Sequence, residues 1–513
     1  MSTSKILIRN ALSNYAGFFI SALVSLFVSP FIVHHIGNTG YGLWALFQSV
    51  FGYFGLLDLG IGVAVIKYIS QFKAKEDQRS INVFGSTMFY TYMVIGSIAL
   101  MLSLFLAPLI PYIFNIPAAY KHIAVYAVLI SGLTTAIMFP MGFLVNSLSA
   151  HQRYDLTNAI GIIRSLIYAA MVVLLLKHGF GLLSLFMLNL ILSILTMLIS
   201  LYLVAAKYKL INIRLHMFNV DMLKMAYKYS IFAFLNNIAG QINSSIGNIL
   251  IGTIISVGFV TYYALALKIN MVIVQAISAI VGITLPVFSE LWAVNDMAKT
   301  RFTYLEVGRA IALISLPVYL VIILYGESIM NLWIGSGYHL AALCIILIAV
   351  FMFIHNVAGY ITGILLFGIG RHRTLSIANA TGTIANVVLA VVLTKWIAIR
   401  YGAGYGILGI PIALLLTLGA VDIFFLPWYV NKIIELPHKE YVKTFIRPVL
   451  FIIPAVAVAL LIKHYYEPHV LIVFVLESAV IGFFYWGLYY LFGLTGDERA
   501  RYAGYLKQLV GKV

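Results

Sequence analysis

The sequence has few charged residues and almost no cysteine. Charged residues make up 9% of its 513 residues, and the only cysteine, Cys344, lies in an apolar run. A single cysteine excludes an internal disulfide and a thiolate metal cluster. The sequence also has no phosphate-binding G-x-x-x-x-G-K-[ST] loop, no H-E-x-x-H and no G-x-S-x-G. It therefore predicts no ATPase of that type, no catalytic residue, no metal site and no cofactor.

Apolar residues are abundant instead. The hydrophobic fraction is 63%, which a soluble chain of this length could not bury, so the sequence predicts an all-α, polytopic membrane protein with about 14 transmembrane helices. The net charge is +16. If the N-terminus is cytoplasmic, 25 of the 32 Lys and Arg residues lie on the cytoplasmic side. The positive-inside rule therefore explains the charge without a nucleic-acid partner and predicts that both termini are cytoplasmic.

Short sequences recur in the same order along the chain. The repeated segments begin at Asn14 and Asn237, at Asn158 and Asn379, and at Gly179 and Gly404, with offsets of 223, 221 and 225 residues. Internal repeats of this kind are typical of secondary transporters.

The repeats and the polar segment after residue 206 predict a domain order. We expect an N-terminal six-helix bundle (1–206), a cytoplasmic linker (207–225), a C-terminal six-helix bundle (226–431), and two additional helices with a cytoplasmic tail (432–513). Each half has an even number of spans, so the two halves should have the same orientation in the membrane.

One predicted span, the seventh, is polar along one face. The amides and hydroxyls recur at steps of three and four residues, which places them on one side of a helix: Asn237, Gln241, Ser244 and Asn248. The first span repeats the pattern more weakly, beginning at Asn14. Such a face either lines a cavity or forms a tight interhelical seam, and the sequence leaves both readings open.

Two cations lie within predicted spans. Arg164 shares a helix face with Tyr168, and Lys268 shares one with Gln275. A central arginine costs at least about 2.5–3.5 kcal/mol in a bilayer, so it must face protein groups or water. Arg164 is a candidate for binding an anionic substrate group, and a structural ion pair is the alternative. Lys268 is a candidate for a substrate-binding or ion-coupling role.

Embedded acids and a histidine are candidates for ion coupling. They are Asp58, Asp422 and His355. For each of them a structural pair or a hydrogen-bonded helix contact is the alternative.

The first two spans resemble those of a known family. Residues 36–46 read IGNTGYGLWAL, residues 57–69 read LDLGIGVAVIKYI, and residues 258–266 read GFVTYYALA before Lys268. These segments look like those of the polysaccharide-type (Wzx-like) flippases of the multidrug/oligosaccharidyl-lipid/polysaccharide (MOP) exporter superfamily. The resemblance covers the whole chain, including the six-six-two layout.

The resemblance implies a non-enzymatic flippase. It would move polyprenyl-pyrophosphate-linked oligosaccharide from the cytoplasmic to the outer leaflet of a bacterial inner membrane by alternating access between V-shaped bundles. It also implies membrane lipid, a polysaccharide polymerase and a chain-length regulator as partners. On this basis Arg164 and Lys268 become cavity candidates. The alternatives are a cation-coupled multidrug antiporter, which should have a mainly acidic cavity, and a membrane polysaccharide polymerase, which usually has a large outer loop.

Overall fold

A computed structural model describes the backbone of residues 3–282, 284–496 and 498–500. It describes the side chains of these residues except 3–12, 231–233, 235–237, 279 and 280.

This described part is helical and contains no strand, which confirms the all-α prediction. Its α-helices, numbered α1 to α19 in chain order, are Thr3–Phe54, Ile61–Ala74, Gln78–Leu106, Ile110–Ile113, Lys121–Ala150, Tyr154–Lys177, Leu182–Leu201, Val220–Ile254, Val257–Gly282, Leu285–Ala293, Met297–Trp333, His339–Ile354, Ile361–Gly368, His372–Tyr401, Gly409–Ala420, Leu426–Ile433, His438–Leu450, Ile452–Tyr465 and Leu471–Leu488. Within the described residues, 12 segments are long and apolar enough to cross a membrane. The polytopic architecture is thus confirmed, whereas the count of fourteen and the six-six-two layout stay predictions.

The first helix is much longer than one membrane crossing. Its 52 residues, counted on both sides of a kink, correspond to about 78 Å of helix at 1.5 Å per residue, more than twice a hydrocarbon core of about 30 Å. The helix is interrupted at Gly37, whose φ of 70° is accessible to glycine at little cost. The interruption lies between the first two predicted spans, 11–34 and 42–68.

Residues of the recognised motif contact one another at this interruption. The Thr261 hydroxyl donates to the Asn38 carbonyl oxygen at 2.5 Å, and Asn38 Nδ2 donates to the Tyr262 hydroxyl at 3.2 Å. A Cβ at Gly42 would overlap the Val257 carbonyl oxygen. Small and polar residues are therefore needed here because α1 and α9 approach closely.

The chain divides into two compact units, Met1–Ala264 and Leu265–Val513. In the first unit, small residues bring α3 and α5 together: a Cβ at Gly96 would overlap the Ala136 carbonyl, and one at Gly132 would overlap Ser103. Close backbone approach of this kind is a common way for helices to pack in lipid. It fixes the position of the polar α5 face described below.

In the second unit, the last two helices pack against α11. Trp486 Nε1 donates to the Leu313 carbonyl at 2.9 Å, and Lys463 Nζ donates to the Leu324 carbonyl at 2.7 Å. Two segments of this unit, His355–Tyr360 and Val421–Phe425, form π-helical turns between α-helices.

The two units share local turn geometry. Asp77 caps α3 after Glu76, whose φ is 56°, and Asp296 caps α11 after Asn295, whose φ is 55°. Each aspartate accepts a hydrogen bond from the amide three residues later. The 219-residue offset between them is close to the offsets of the sequence repeats, and the duplication itself stays a prediction.

Candidate functional site: a cavity in the first unit

The first unit contains a cavity of about 570 Å³. Residues from several helices line it: Phe47, Gln48, Phe51, Gly52, Gly55, Asp58, Tyr92, Ser131, Thr134, Thr135, Met138, Phe139, Gly142, Asn146, Arg164, Phe186 and Asn189. Aromatic rings and neutral polar groups dominate the wall, and one cation and one carboxylate are added to it. A mainly apolar wall with a few polar groups is typical of sites for small organic ligands.

Arg164 is half-buried on α6 and is held by neutral partners. Its Nη2 donates to Asn189 Oδ1 at 3.4 Å and to the Ser193 hydroxyl at 3.2 Å, both on α7. Among the described residues, no acidic side chain forms an ion pair with it. The guanidinium therefore keeps its charge uncompensated in a cavity within the membrane, where an anionic ligand would be strongly favoured.

Asp58 lines the same cavity and is also held by neutral groups. It follows α1 in a single 3₁₀ turn, Gly55–Asp58. The Tyr92 hydroxyl donates to Asp58 Oδ1, and the Gly62 amide donates to Oδ2 at 3.3 Å. Within the described part of the chain, Asp58 forms no ion pair. The cavity thus offers a cation and an anion that do not neutralise each other.

The neutral side of the cavity is one face of α5. Its members recur at steps of three and four residues: Ser131, Thr134, Thr135, Met138, Gly142 and Asn146. The hydroxyls of Thr134 and Thr135 donate to carbonyls of their own helix at 2.8 and 2.9 Å. Their oxygens can still accept hydrogen bonds, which suits hydroxyl-bearing ligands such as sugars.

The polar face of the predicted seventh span lies on α8 and does not line this cavity. Asn248 is buried and donates to the Ser49 hydroxyl at 2.8 Å, which ties α8 to α1. Gln241 donates to Ser245 at 2.7 Å and lies against Gly52, while Ser244 is exposed and bonds to the Gln241 carbonyl. The Asn237 side chain lies outside the described residues. At Asn248, the polar face therefore forms an interhelical seam, which is one of the two readings that the sequence left open.

The other predicted binding residues have different surroundings. Asn14 accepts a hydrogen bond from Asn158 at 2.6 Å in the seam between α1 and α6. Tyr168 interacts electrostatically with Arg164 but is not among the cavity-lining residues. Lys268 is half-buried on α9 and belongs to the second unit, as does the exposed Gln275.

Two candidate ion-coupling residues form a pair. His355 Nδ1 lies 2.8 Å from Asp422 Oδ2 in the second unit. They are 67 residues apart in the sequence, and the sequence alone indicated each of them only as a separate candidate.

Sequence reasoning missed the partners of Arg164. Asn189 and Ser193 are one helical turn apart in an otherwise apolar segment, and this spacing is the signal that could have found them. It also missed Gln48, Tyr92 and Asn146. These are isolated polar residues whose shared location depends on how the helices pack.

Comparison with known proteins identifies the family. The family described as polysaccharide biosynthesis protein matches residues 19–343, which is more than half of the chain. An uncharacterized membrane protein, EpsK, from Bacillus subtilis is 22% identical over 454 residues, covering 86% of each chain. A putative O-antigen transporter from Shigella flexneri is 20% identical over 433 residues, covering 83% of this chain and 98% of the relative.

Solved structures share the fold. The lipid II flippase MurJ in an inward closed conformation has a TM-score of 0.72 at 16% identity, covering 94% of this chain and 99% of MurJ. An inward-facing multidrug resistance MATE family transporter of the MOP superfamily has a TM-score of 0.69 at 17% identity, covering 82% of this chain and 98% of the transporter. At these identities the likeness concerns the fold alone. The resemblance to Wzx-like proteins is thus confirmed, and this multi-pass membrane chain belongs to the polysaccharide biosynthesis protein family, with the fold of the MOP transporters.

Proposed function

We propose that this protein is a flippase for polyprenyl-pyrophosphate-linked oligosaccharides. It would move them from the cytoplasmic to the outer leaflet of a bacterial inner membrane, with both of its termini in the cytoplasm. The observation that carries the proposal is Arg164, a membrane-embedded cation that lines a cavity and has only neutral hydrogen-bond partners among the described residues.

The cavity chemistry fits this class of substrate. A guanidinium matches phosphate because its donors form a planar fork, and a pyrophosphate offers several acceptors. Aromatic rings such as Phe139 and Phe186, together with amides such as Asn146, suit the apolar faces and hydroxyls of sugars. Membership of a polysaccharide biosynthesis family and a relative described as a putative O-antigen transporter support the same substrate class.

We further propose roles for residues outside the cavity. Lys268 would be a further cation for anionic groups of the substrate, with Gln275 on the same face two turns further along α9. The predicted six-helix bundles would move as two bodies during alternating access, joined by segment 207–225. The extruded lipid-linked sugar would then pass to a polysaccharide polymerase and its chain-length regulator.

A cation-selective antiporter is less consistent with this cavity. Such a transporter must attract cations, and an uncompensated Arg164 repels them. Asp58 supplies one opposing charge, and Tyr92 and Gly62 already donate hydrogen bonds to it.

The test is transport by the purified full-length protein in proteoliposomes. The probe is a fluorescent polyprenyl-pyrophosphate disaccharide, and its outer-leaflet fraction is read with a membrane-impermeant quencher. We expect wild-type protein to move the probe and Arg164→Ala to slow the movement at least about tenfold, because charge-assisted hydrogen bonds contribute about 1.5–3 kcal/mol.

The matched control is Lys177→Ala, which removes an exposed cation from the end of the same helix. It should behave as wild type. A wild-type protein that does not move the probe, or an Arg164→Ala variant as fast as wild type, would contradict the proposal.

A further inference from the structure

The second unit contains a membrane-embedded carboxylate that is covered by a histidine. Asp422 is 3% exposed, and its Oδ2 lies 2.8 Å from His355 Nδ1. The imidazole is the more accessible partner, with 38% of its side-chain surface exposed against 5% for the carboxylate. Among the described residues, neither member has a second ion-pair partner.

Aromatic side chains lie close to both members of the pair. The rings of Phe351 and Tyr360 lie 5.7 and 6.3 Å from the imidazole. The hydroxyl of Tyr441 on α17 is close enough to Asp422 to interact electrostatically. Tyr360 and Tyr441 are titratable groups that face the pair, and both stay neutral in the range where histidine changes charge.

Both members lie on π-helical turns. His355 begins the π-turn His355–Tyr360, and Asp422 lies in the π-turn Val421–Phe425. A π-turn interrupts the regular hydrogen bonding of a helix, and such turns occur frequently at functional sites. The backbone at Gly359 passes so close to Asp422 that a Cβ there would overlap the carboxylate. The pair therefore joins two helices at the points where each can bend.

We propose that His355 and Asp422 together form the proton-binding site through which a proton gradient drives this transporter. With Nδ1–H donating to Asp422, Nε2 is the atom that gains and loses the proton. The protonated pair is an imidazolium with a carboxylate, which is neutral overall. Loss of the proton leaves one net negative charge in the membrane, which is costly. The deprotonated pair therefore favours whichever arrangement of the two π-turns admits water.

The inference rests on the proposed transport function, and its first experiment separates driving force from movement. In the same proteoliposomes, the probe is followed with no pH difference and with a pH difference across the membrane. We expect the gradient to change the wild-type final distribution between leaflets. Asp422→Asn and His355→Gln should equilibrate the probe within about twofold of the wild-type rate, yet show no response to the gradient.

The matched control is His339→Gln in the same unit. His339 also faces a carboxylate, Glu327 at 3.4 Å, but both side chains are more than half exposed. This variant should respond to the gradient as wild type does. The proposal is overturned if both pair variants keep the wild-type response to the gradient. It is also overturned if they fail to move the probe in the absence of a gradient, or if Asp58→Asn alone abolishes the response.

A second experiment requires no substrate. In detergent-solubilised protein with ¹³C-labelled histidine, the His355 resonance is identified by its absence from His355→Gln. We expect it to shift between about pH 5 and pH 8 and its midpoint to change in Asp422→Asn. A resonance that does not move with pH overturns the proton site even when transport is intact. A wild-type protein that never moves the probe refutes the proposed function, and the resonance then still decides the site.

Discussion

The two units contain embedded charges in opposite arrangements. In the first unit, Arg164 and Asp58 line one cavity, and each is held by neutral donors or acceptors. In the second unit, His355 and Asp422 bind each other at 2.8 Å. An uncompensated charge is available to a ligand, whereas a paired charge is already satisfied and responds mainly to protons.

The roles proposed above for the two units follow this contrast. A duplicated backbone can support equivalent movements in both halves, and the turns at Asp77 and Asp296 show how closely the local geometry recurs. The charges have no such symmetry, which fits the proposal that one unit binds the substrate while the other binds the driving ion. Four perturbations test this comparison, from the largest expected effect to the smallest.

The largest effect should come from Arg164. We expect Arg164→Ala to weaken binding of the pyrophosphate-lipid probe by about tenfold to a hundredfold, the equivalent of about 1.5–3 kcal/mol. Arg164→Lys should retain part of the affinity, because it keeps the charge but loses the planar fork. Binding is measured by the change in probe fluorescence in detergent, and equal affinity in Arg164→Ala and wild type would remove the contrast between the units.

A smaller effect should follow from crowding the pair of the second unit. Gly359→Ala places a Cβ against the Asp422 carboxylate and should cost about 1–3 kcal/mol as overpacking. The readouts are the melting temperature in detergent and the response to a pH gradient, both of which should fall.

Gly363→Ala is the control for that substitution. It lies one turn further along, where the nearest atom to a Cβ would be 3.5 Å away on Leu375, an ordinary contact. If both glycine variants melt and respond alike, close approach at Gly359 does not constrain the pair.

A weaker effect is expected for the partners of Arg164. Asn189→Ala and Ser193→Ala each remove one hydrogen bond worth about 0.5–1.5 kcal/mol, so probe affinity should fall by up to about tenfold. In the Arg164→Ala background, the same substitutions should have little further effect. Ser184→Ala, which removes a hydroxyl that donates to the Gly181 carbonyl at the start of α7, is the control. Full additivity would show that Asn189 and Ser193 do not act through Arg164.

The smallest effect should come from removing the helix caps Asp77 and Asp296, and it should be the same in both units. Hydrogen bonds from the Ser80 hydroxyl and amide lower the pKa of Asp77, and the Lys299 amide lowers the pKa of Asp296. A lowered pKa in the folded state means that the stabilisation is complete above the unfolded pKa and is lost as the pH falls through the folded value. Asp77→Ala and Asp296→Ala should therefore lower the melting temperature slightly at neutral pH, and the difference from wild type should shrink in acid.

The Asn variants at the two caps are the controls. They keep a side-chain acceptor and should remain close to wild type at neutral pH. A large effect at only one of the two caps would contradict the equivalence of the two turns.

Much of the fold was predictable from the sequence. The all-α membrane architecture follows from an apolar content that only lipid or other helices can cover. The cost of embedding a charge directed attention to Arg164 and Asp58, and both of them line the cavity.

The partners of these residues were not predictable in the same way. Asn248 has the spacing of a cavity-lining residue, yet it bonds to Ser49, 199 residues away in the sequence. Helical periodicity specifies which face a side chain occupies, but not which neighbour covers that face.

The sequence by itself therefore determined the membrane class, the family motif and the residues that lipid would not tolerate. Only the tertiary structure decided that Arg164 meets Asn189 and Ser193, and that Asp422 meets His355. The physical reason is that periodicity and burial cost are local properties of one helix. A hydrogen bond between helices depends on their relative rotation and depth, to which many distant packing contacts contribute.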